Sequence, residues 1–287
     1  MRYRLIGIDF DGTLLGREGH ISPRNRAAIA QAHAQGVLVV PCTGRCWQEA
    51  RRPLAELNGE AQTGVFVTGA AVCDIATGRV RDTAELTPDV AADLVHDLAD
   101  APESVLLFRN RERVGHDYLV TGHGRLTENT RWWFTVMEVP VAHRAHPGPQ
   151  DLKHVLRVGM VAPASYARPK ARQIAARYGQ GVTVHSFQAL HMPDQVDPLD
   201  VLEVFAGGVD KWRGLAWLAA QHGIAAREIA VIGDEINDIS MMRQAGCGIA
   251  MGNAVDSLKS AARYVTADCD HDGVAQAIEC LLAGTWG

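Results

Sequence analysis

The architecture of this 287-residue chain can be inferred from one segment near its start, Ile6-Gly7-Ile8-Asp9-Phe10-Asp11-Gly12-Thr13-Leu14. Leu5 to Ile8 is a short apolar run, which is typical of a strand buried on both faces of a parallel sheet. Asp9 and Asp11 follow where the chain leaves this strand, and Gly12 permits a sharp turn. Such a pair can bind one Mg²⁺ through a side chain and a carbonyl and still leave one carboxylate for proton transfer. Carboxylates that only cap a turn have the same pattern, so the motif alone leaves both interpretations open.

Two later strands end in polar groups of the same kind. Val37 to Val40 leads into Thr43-Gly44-Arg45, and Ile229 to Ile232 leads into Gly233-Asp234. In an open parallel sheet, ligands bind beyond the carboxyl ends of the strands, and right-handed crossovers bring those ends to one edge. We therefore expect Asp9, Asp11, Thr43 and Asp234 to form one site.

The rest of the chain predicts an α/β fold, a doubly wound (Rossmann-like) parallel-sheet core with an inserted α+β domain. The core is predicted over residues 1–83 and 199–287, and the insertion over residues 84–198. The segment 115–149 has no clear pattern. The predicted helices run from Ser22 to Gly36, Trp47 to Leu57, Thr87 to Leu98, Pro169 to Tyr178 and Lys211 to Gly223. The further predicted strands are Val65 to Thr68, Ser104 to Arg109, Val155 to Val161, Val182 to Phe187, Leu199 to Phe205, Cys247 to Met251 and Tyr264 to Val265.

Composition excludes several classes of protein. A formal net charge of -5 gives no general attraction to nucleic acid or to an anionic membrane, so we expect neither as a partner. No run reaches the eighteen or so apolar residues of a membrane span, and the start of the chain matches neither a signal nor a transit peptide. The six cysteines lack paired CxxC spacing, which predicts reduced, buried thiols in a cytoplasmic protein.

The motifs resemble, in order, those of the haloacid dehalogenase superfamily, and most closely its Cof-like (type IIB cap) phosphatase branch. The first motif is the Asp9 to Leu14 segment, the second is Thr43-Gly44-Arg45, the third is Lys211, and the fourth is Gly233-Asp234 with Asn237-Asp238. Similarity continues through Ala250 to Ala254 and Asp272 to Ala275. The inserted domain would then be the cap that sets substrate specificity.

The resemblance implies a catalytic role for three residues. Asp9 would attack phosphorus and form an aspartyl-phosphate, which divides one difficult transfer into two easier ones. Asp11 would protonate the leaving oxygen and then deprotonate the attacking water. Lys211 would offset the repulsion between the Asp9 carboxylate and the phosphate.

The resemblance also implies a metal site and a phosphate site. Mg²⁺ would be held by the Asp9 carboxylate, the Asp11 carbonyl and Asp234, with waters completing the octahedron. Asp238, also counted with the metal site, and Asn237 would support these ligands from behind. Thr43, Gly44, the Gly12 amides and Asn237 would bind the phosphoryl group or support its shell. Arg45 is interpreted as structural, while Asn253 either bonds a phosphate-side loop or caps a turn.

The sequence departs from the Cof-like pattern at two positions. Thr68 stands where Asn is usual, and Trp212 follows Lys211 where Gly is usual. The first change removes an amide that could hold the phosphate or the domain junction, and the second places a large ring beside the site. Polar and aromatic residues of the insertion are open candidates for substrate contact: Arg109, His116, Tyr118, His123, Arg131, Trp132, Arg157, His185 and His191.

We expect a Mg²⁺-dependent phosphatase whose partner is a small phosphorylated metabolite, in a monomer or weak homodimer. Sugar phosphates are the first substrate class, followed by nucleotide or cofactor phosphates such as flavin mononucleotide or pyridoxal phosphate. The resemblance also admits sucrose-phosphate-like and mannosyl-phosphoglycerate-like phosphatases. A phosphomutase of the same superfamily is an alternative enzyme, and isomerised product without free phosphate would identify it. A sensor that binds phosphometabolites without turnover is an alternative from another class.

Overall fold

The computed structural model describes residues 2–189 and 197–286. The chain divides into two compact units, one formed by Met1–Asp82 with Asp210–Gly287 and the other by Thr83–Val209. The helices are α1 (Pro23–Ala34), α2 (Trp47–Leu54), α3 (Pro88–Asp97), α4 (Arg111–Val114), α5 (Glu128–Val136), α6 (Ala164–Tyr178), α7 (Lys211–Gln221), α8 (Ile239–Gln244), α9 (Asp256–Ala261) and α10 (Gly273–Leu282). The strands are β1 (Leu5–Asp9), β2 (Leu38–Cys42), β3 (Thr63–Phe66), β4 (Ala71–Asp74), β5 (Val80–Thr83), β6 (Val105–Arg109), β7 (Tyr118–Thr121), β8 (Val141–His143), β9 (Val155–Pro163), β10 (Val182–Gln188), β11 (Leu199–Ala206), β12 (Ile229–Gly233), β13 (Cys247–Ala250) and β14 (Tyr264–Val265).

The first unit is built on a sheet in the order β14-β13-β12-β1-β2-β3-β4-β5. The strands from β14 to β3 are parallel, and β4 returns antiparallel to β3. All five residues of β1 are buried, and β1 is paired with a parallel neighbour on both edges. The predicted doubly wound parallel core is thus confirmed.

The register of this sheet aligns the strand ends that matter for function. Ile8 lies opposite Ile232 on β12, and Asp9 lies opposite Cys42 on β2. Parallel neighbours in this register finish at one edge of the sheet. The residues that follow β1, β2 and β12 therefore emerge side by side.

The second unit is a mainly antiparallel sheet in the order β10-β11-β9-β6-β7-β8. Helices α3 and α6 pack on one of its faces, around a core that includes Leu94, Ile174, Val158 and Leu202. Side chains alternate along a strand, so Arg157, the neighbour of Val158, lies on the opposite face. The predicted α+β insertion is confirmed.

The predicted boundary between insertion and core is wrong at its second crossing. The sequence predicts that residues from 199 onward belong to the core, but β11 (Leu199–Ala206) pairs antiparallel with β10 and β9 in the sheet of the second unit. Residues 199–209 consequently belong to the insertion. The error has a physical cause, since a buried apolar strand has the same pattern whichever sheet it joins.

The structure also resolves segments where the sequence pattern was weak. The unassigned stretch 115–149 contains β7, α5 and β8. Helix α6 begins at Ala164 rather than at Pro169, which lies inside it. The six cysteines, all in the part of the chain that the structure describes, form no disulfide, and five are buried as predicted. Within the described ranges, every helix is too short or too polar to cross a lipid bilayer.

Thr68 lies in a strained turn just after β3. Val67, Thr68 and Gly69 have φ angles of 51°, 56° and 95°. The strand that the sequence predicts up to Thr68 therefore ends at Phe66. The left-handed region is unfavourable for β-branched residues such as Val and Thr, whereas Asn adopts it far more readily. The turn is held in place by hydrogen bonds from the Val67 and Thr68 amides to the Arg45 and Thr43 carbonyls, 2.9 and 3.0 Å long.

We predict that Thr68→Asn raises the free energy of unfolding by about 1 kcal/mol, because it relieves the backbone strain at this position. Urea unfolding followed by circular dichroism measures the change. Thr68→Val is the matched control, since it keeps the β-branch and should give no gain. Equal stability of the Asn variant and the wild type would show that the turn stores no strain at Thr68.

Candidate active site

The carboxylates of Asp9, Asp234 and Asp238 form a buried cluster at the edge of the first unit's sheet. Asp9 is the last residue of β1, and Asp234 directly follows β12, its parallel neighbour. One ligand atom from each residue lies within 4.8 Å of the others. The two strand-end carboxylates predicted to meet are therefore together, joined by Asp238 from the turn that follows.

Lys211 supplies the positive charge of this cluster. It is the first residue of α7 and is almost completely buried. Its ammonium Nζ donates to Asp9 Oδ1 at 2.5 Å, Asp238 Oδ1 at 2.7 Å and Asn237 Oδ1 at 3.1 Å. An ammonium has three donors, so these contacts satisfy it.

The start of α7 is fixed by its cap. The Asp210 carboxylate accepts from the Arg213 amide at 2.7 Å and from Ser240 Oγ at 2.5 Å. This links the first turn of α7 to α8 of the same unit. Lys211 is thereby held at a defined position beside Asp9.

The cluster has two more negative than positive charges when its groups are ionised, and this excess shifts the pKa values. Burial and the charge of Asp238 raise the pKa of Asp9 well above its usual range, although Lys211 acts to lower it. Burial also raises the pKa of Asp234. For Lys211, burial lowers the pKa, but the charges of Asp238 and Asp9 outweigh it and raise the pKa above normal. A divalent cation would balance the excess negative charge.

Asp234 is oriented by two hydrogen bonds. Thr13 Oγ1 donates to Asp234 Oδ1 at 2.8 Å, and Asn253 Nδ2 donates to Asp234 Oδ2 at 3.2 Å. The Asn253 amide also donates to the Gly12 carbonyl at 2.8 Å. Gly12 has a φ of 76°, and a Cβ there would lie 2.4 Å from Asp234 Oδ2. Only glycine lets the loop after β1 approach the carboxylate this closely.

Asp238 is fully buried and both of its oxygens have protein donors. Oδ1 accepts from Lys211, and Oδ2 accepts from the Asp234 and Glu235 amides at 3.0 and 3.1 Å. These bonds hold the backbone on which Asp234 sits. The contacts of Asp238 are those of a residue that supports its neighbours in the cluster.

Asp11 lies outside the carboxylate cluster. Its side chain is 54% exposed and pairs with Arg45 rather than with Lys211. Arg45 Nη2 lies 2.5 Å from Asp11 Oδ1, and Arg45 Nε lies 3.0 Å from Asp11 Oδ2. The Asp11 carboxylate is therefore bound by Arg45 and is not one of the three clustered carboxylates, so only its carbonyl stays a predicted metal ligand.

Thr43 follows β2 at the same edge and is buried. Its Oγ1 accepts from the Arg45 amide at 3.0 Å. Because a hydroxyl that accepts through a lone pair keeps its proton, Thr43 can still donate to a phosphoryl oxygen. Gly44 lies beside Thr68, whose Oγ1 is 3.5 Å from the position of a Cβ. Phosphate binding by Thr43 and Gly44 stays a prediction, and the Thr43 hydroxyl keeps the proton that this role requires.

Sequence reasoning missed the functional contacts of three residues. The motifs assign no role to Thr13, leave Asn253 open between a loop contact and a turn cap, and indicate only a structural role for Arg45. The spacing gave one signal for Arg45, since it follows Thr43 by two residues at the same strand exit. Thr13 and Asn253 bond to Asp234 from 221 and 19 residues away, and only the fold reveals such pairs.

The candidates in the insertion belong to the second unit and are described by themselves. Arg109 is buried and donates to the carbonyls of Lys153 and Gln150, so it holds a loop. Arg157 forms an ion pair with Glu203 and donates to the Tyr118 hydroxyl. Trp132 is exposed. His191 lies outside the described residues.

Comparisons with known proteins show which family this chain resembles. The sequence profile of the haloacid dehalogenase-like hydrolases matches residues 6–156 and 187–278. The 5-amino-6-(5-phospho-D-ribitylamino)uracil phosphatase YwtE of Bacillus subtilis is 27% identical to this chain over 303 residues, covering 99% of each protein. The pyridoxal phosphate phosphatase YbhA of Escherichia coli is 26% identical over 279 residues, covering 97% of this chain and 98% of the relative.

A solved structure shares the fold over almost the whole chain. It is a sugar phosphatase of haloacid dehalogenase subclass IIB, with a TM-score of 0.77 and 21% identity over 97% of this chain and 98% of its own. The profile covers most of the sequence and includes all four motifs. This chain belongs to the haloacid dehalogenase-like hydrolases.

Proposed function

We propose that this chain is a Mg²⁺-dependent phosphatase that hydrolyses small phosphorylated metabolites through an aspartyl-phosphate intermediate. The family and its curated relatives make it a phosphoric monoester hydrolase of the Cof-like branch. The observation that carries the mechanism is the buried Asp9 carboxylate, held by Lys211 beside Asp234 and Asp238.

The donor set fits Mg²⁺. Mg²⁺ prefers carboxylate and carbonyl oxygens and usually keeps several waters. Asp9, Asp234 and the Asp11 carbonyl would hold the ion, and Asp238 would support them. When bound, Mg²⁺ supplies positive charge that stabilises the phosphoryl group as negative charge develops on it.

The nucleophile is prepared by its surroundings. A carboxylate 4 Å from a phosphate charge is repelled by roughly 4 kcal/mol at an effective dielectric constant near 20. Lys211 contacts one Asp9 oxygen, so it both orients the carboxylate and offsets this repulsion. As the Asp9 oxygen bonds to phosphorus, the bond from phosphorus to the leaving oxygen breaks, and Asp11 gives that oxygen its proton.

The second half of the reaction restores the enzyme. Asp11 takes a proton from a water, whose oxygen attacks phosphorus and displaces the Asp9 carboxylate. Inorganic phosphate leaves. Thr43 and Gly44 are proposed to bind phosphoryl oxygens in both halves, and Asn237 positions Lys211.

Sugar phosphates are the first proposed substrate class. Relatives named for ribitylaminouracil, pyridoxal and sugar phosphates all act on small phosphorylated molecules, which supports this class in its general form. We propose that the inserted unit selects the leaving group. We also propose that the enzyme works in the cytoplasm, which fits its lack of disulfides. The oligomeric state, a monomer or a weak homodimer, stays a prediction.

We predict that phosphate release from a panel of metabolites requires Mg²⁺ and stops with chelator. Asp9→Asn should reduce turnover by at least about a thousandfold, because it removes the nucleophile. Asp256→Asn, an exposed change on α9, is the matched control and should keep activity. Isomerised product without free phosphate would identify a mutase instead, and ligand binding without turnover in the wild type would identify a sensor.

We predict that Lys211→Met lowers the free energy of unfolding by about 3–5 kcal/mol, because it leaves buried carboxylates without their counter-charge. Chemical denaturation of the metal-free protein measures this loss. Lys259→Met on α9, a partly exposed lysine of the same unit, should change it by less than about 0.5 kcal/mol. Similar values for the two variants would mean that the cluster does not depend on Lys211.

We predict that Asn253→Ala weakens Mg²⁺ binding by about 10- to 100-fold, because Asp234 loses the donor that orients its Oδ2. Calorimetric titration of the protein with Mg²⁺ gives the affinity without any turnover. Gln221→Ala, at the far end of α7, is the control. An unchanged affinity would assign Asn253 to the loop alone.

A further inference from the structure

Arg45 makes a two-point contact with Asp11 that the mechanism above does not use. Its Nη2 lies 2.5 Å from Oδ1, and its Nε lies 3.0 Å from Oδ2. Each carboxylate oxygen thus has its own donor. A guanidinium that binds both oxygens fixes the plane of the carboxylate as well as its distance.

Arg45 has further contacts through both its backbone and its guanidinium. Its amide donates to Thr43 Oγ1 at 3.0 Å, and its carbonyl accepts from the Val67 amide at 2.9 Å. Its Nη1 lies 3.5 Å from the Glu49 carbonyl, and its guanidinium carbon lies 5.5 Å from the Phe10 ring centroid. The guanidinium is therefore contacted by the Glu49 carbonyl and the Phe10 ring as well as by Asp11.

Asp11 needs such a partner. Its side chain is 54% exposed, whereas that of Arg45 is 21% exposed. An exposed carboxylate that only faced water would be distributed over several rotamers. Proton transfer to a leaving oxygen requires the acid within hydrogen-bond reach of it, so each misplaced rotamer lowers the rate.

We propose that Arg45 is a positioning residue that holds the Asp11 carboxyl group in place for proton transfer to the leaving oxygen. This inference rests on the phosphatase function proposed above. A carboxylate has about four acceptor positions and the guanidinium uses two, so positions for a proton remain. In this arrangement the strand exit of β2 serves both the phosphate, through Thr43, and the acid, through Arg45.

The test compares two phosphate esters that differ in their need for an acid. An alkyl phosphate such as a sugar phosphate releases an alkoxide, which must be protonated. 2,4-Dinitrophenyl phosphate releases a stable anion, which does not. Because kcat/KM reports only steps up to departure of the leaving group, its ratio between the two esters isolates the action of Asp11 as an acid.

For Arg45→Ala we expect kcat/KM to fall about 10²- to 10⁴-fold with the alkyl ester and less than about tenfold with the dinitrophenyl ester. Added guanidinium ion should restore part of the loss with the alkyl ester. Arg45→Lys should lie between wild type and Arg45→Ala, because an ammonium cannot bind both oxygens in one plane. Activity on the dinitrophenyl ester also shows that the variants are folded.

Arg17→Ala is the matched control. Arg17 forms an exposed ion pair with Asp270, with Nε and Oδ2 3.0 Å apart. Exposed ion pairs contribute little to stability, so we expect near wild-type kcat/KM with both esters.

Two results with Arg45→Ala would overturn the inference. An equal loss with both esters would assign Arg45 to the fold or to the phosphoryl group, and unchanged values would remove it from the reaction. The proposed function is judged separately on the wild type. If the wild type released phosphate from neither ester, that function would fail and the positioning role with it.

Discussion

The first unit depends on one buried ammonium. Lys211 lies among Asp9, Asp238 and Asn237, and almost none of its side chain is exposed to water. Moving a charge out of water costs several kcal/mol, and the cost is recovered only if partners approach closely and bond to each donor. Three elements must therefore converge, namely the end of β1, the turn after β12 and the first residue of α7. The fold of the first unit thus brings the Lys211 ammonium into contact with the Asp9 and Asp238 carboxylates.

Close backbone approaches around the cluster follow from this convergence. A Cβ on Gly12 would lie 2.4 Å from Asp234 Oδ2, and a Cβ on Gly69 would lie 1.8 Å from the Asp210 carbonyl oxygen. The start of α7 thus packs directly on the strained turn at Val67 to Gly69. Strained backbone persists only where surrounding contacts hold it. Here the Val67 and Thr68 amides bond to the Arg45 and Thr43 carbonyls, and Gly69 packs against Asp210, the residue before Lys211. The strained turn after β3 and the start of α7, which carries Lys211, are therefore packed against each other.

The sequence predicted what depends on local pattern. The buried runs before Asp9, Thr43 and Asp234 are strands of one parallel sheet because each is apolar, short and followed by a turn. The sheet to which Leu199–Ala206 belongs could not be predicted, because an apolar, buried pattern is the same for a strand of either sheet. The same limit explains Arg45. Its neighbours in sequence indicated only a helix start, while its partner Asp11 lies 34 residues earlier.

Asp9 and Asp11 show how two carboxylates of one motif acquire different chemistry. Asp9 is the last residue of the buried strand β1, and Asp11 lies two residues beyond its end. The Asp9 side chain is 6% exposed and paired with a buried lysine, whereas the Asp11 side chain is 54% exposed and paired with an arginine. A nucleophile benefits from shielding and a fixed direction, whereas a group that gives a proton to the leaving oxygen and regains one from the attacking water must be within reach of both. Environment rather than residue type thus separates the two proposed roles, and that separation comes from the point at which the chain leaves the sheet.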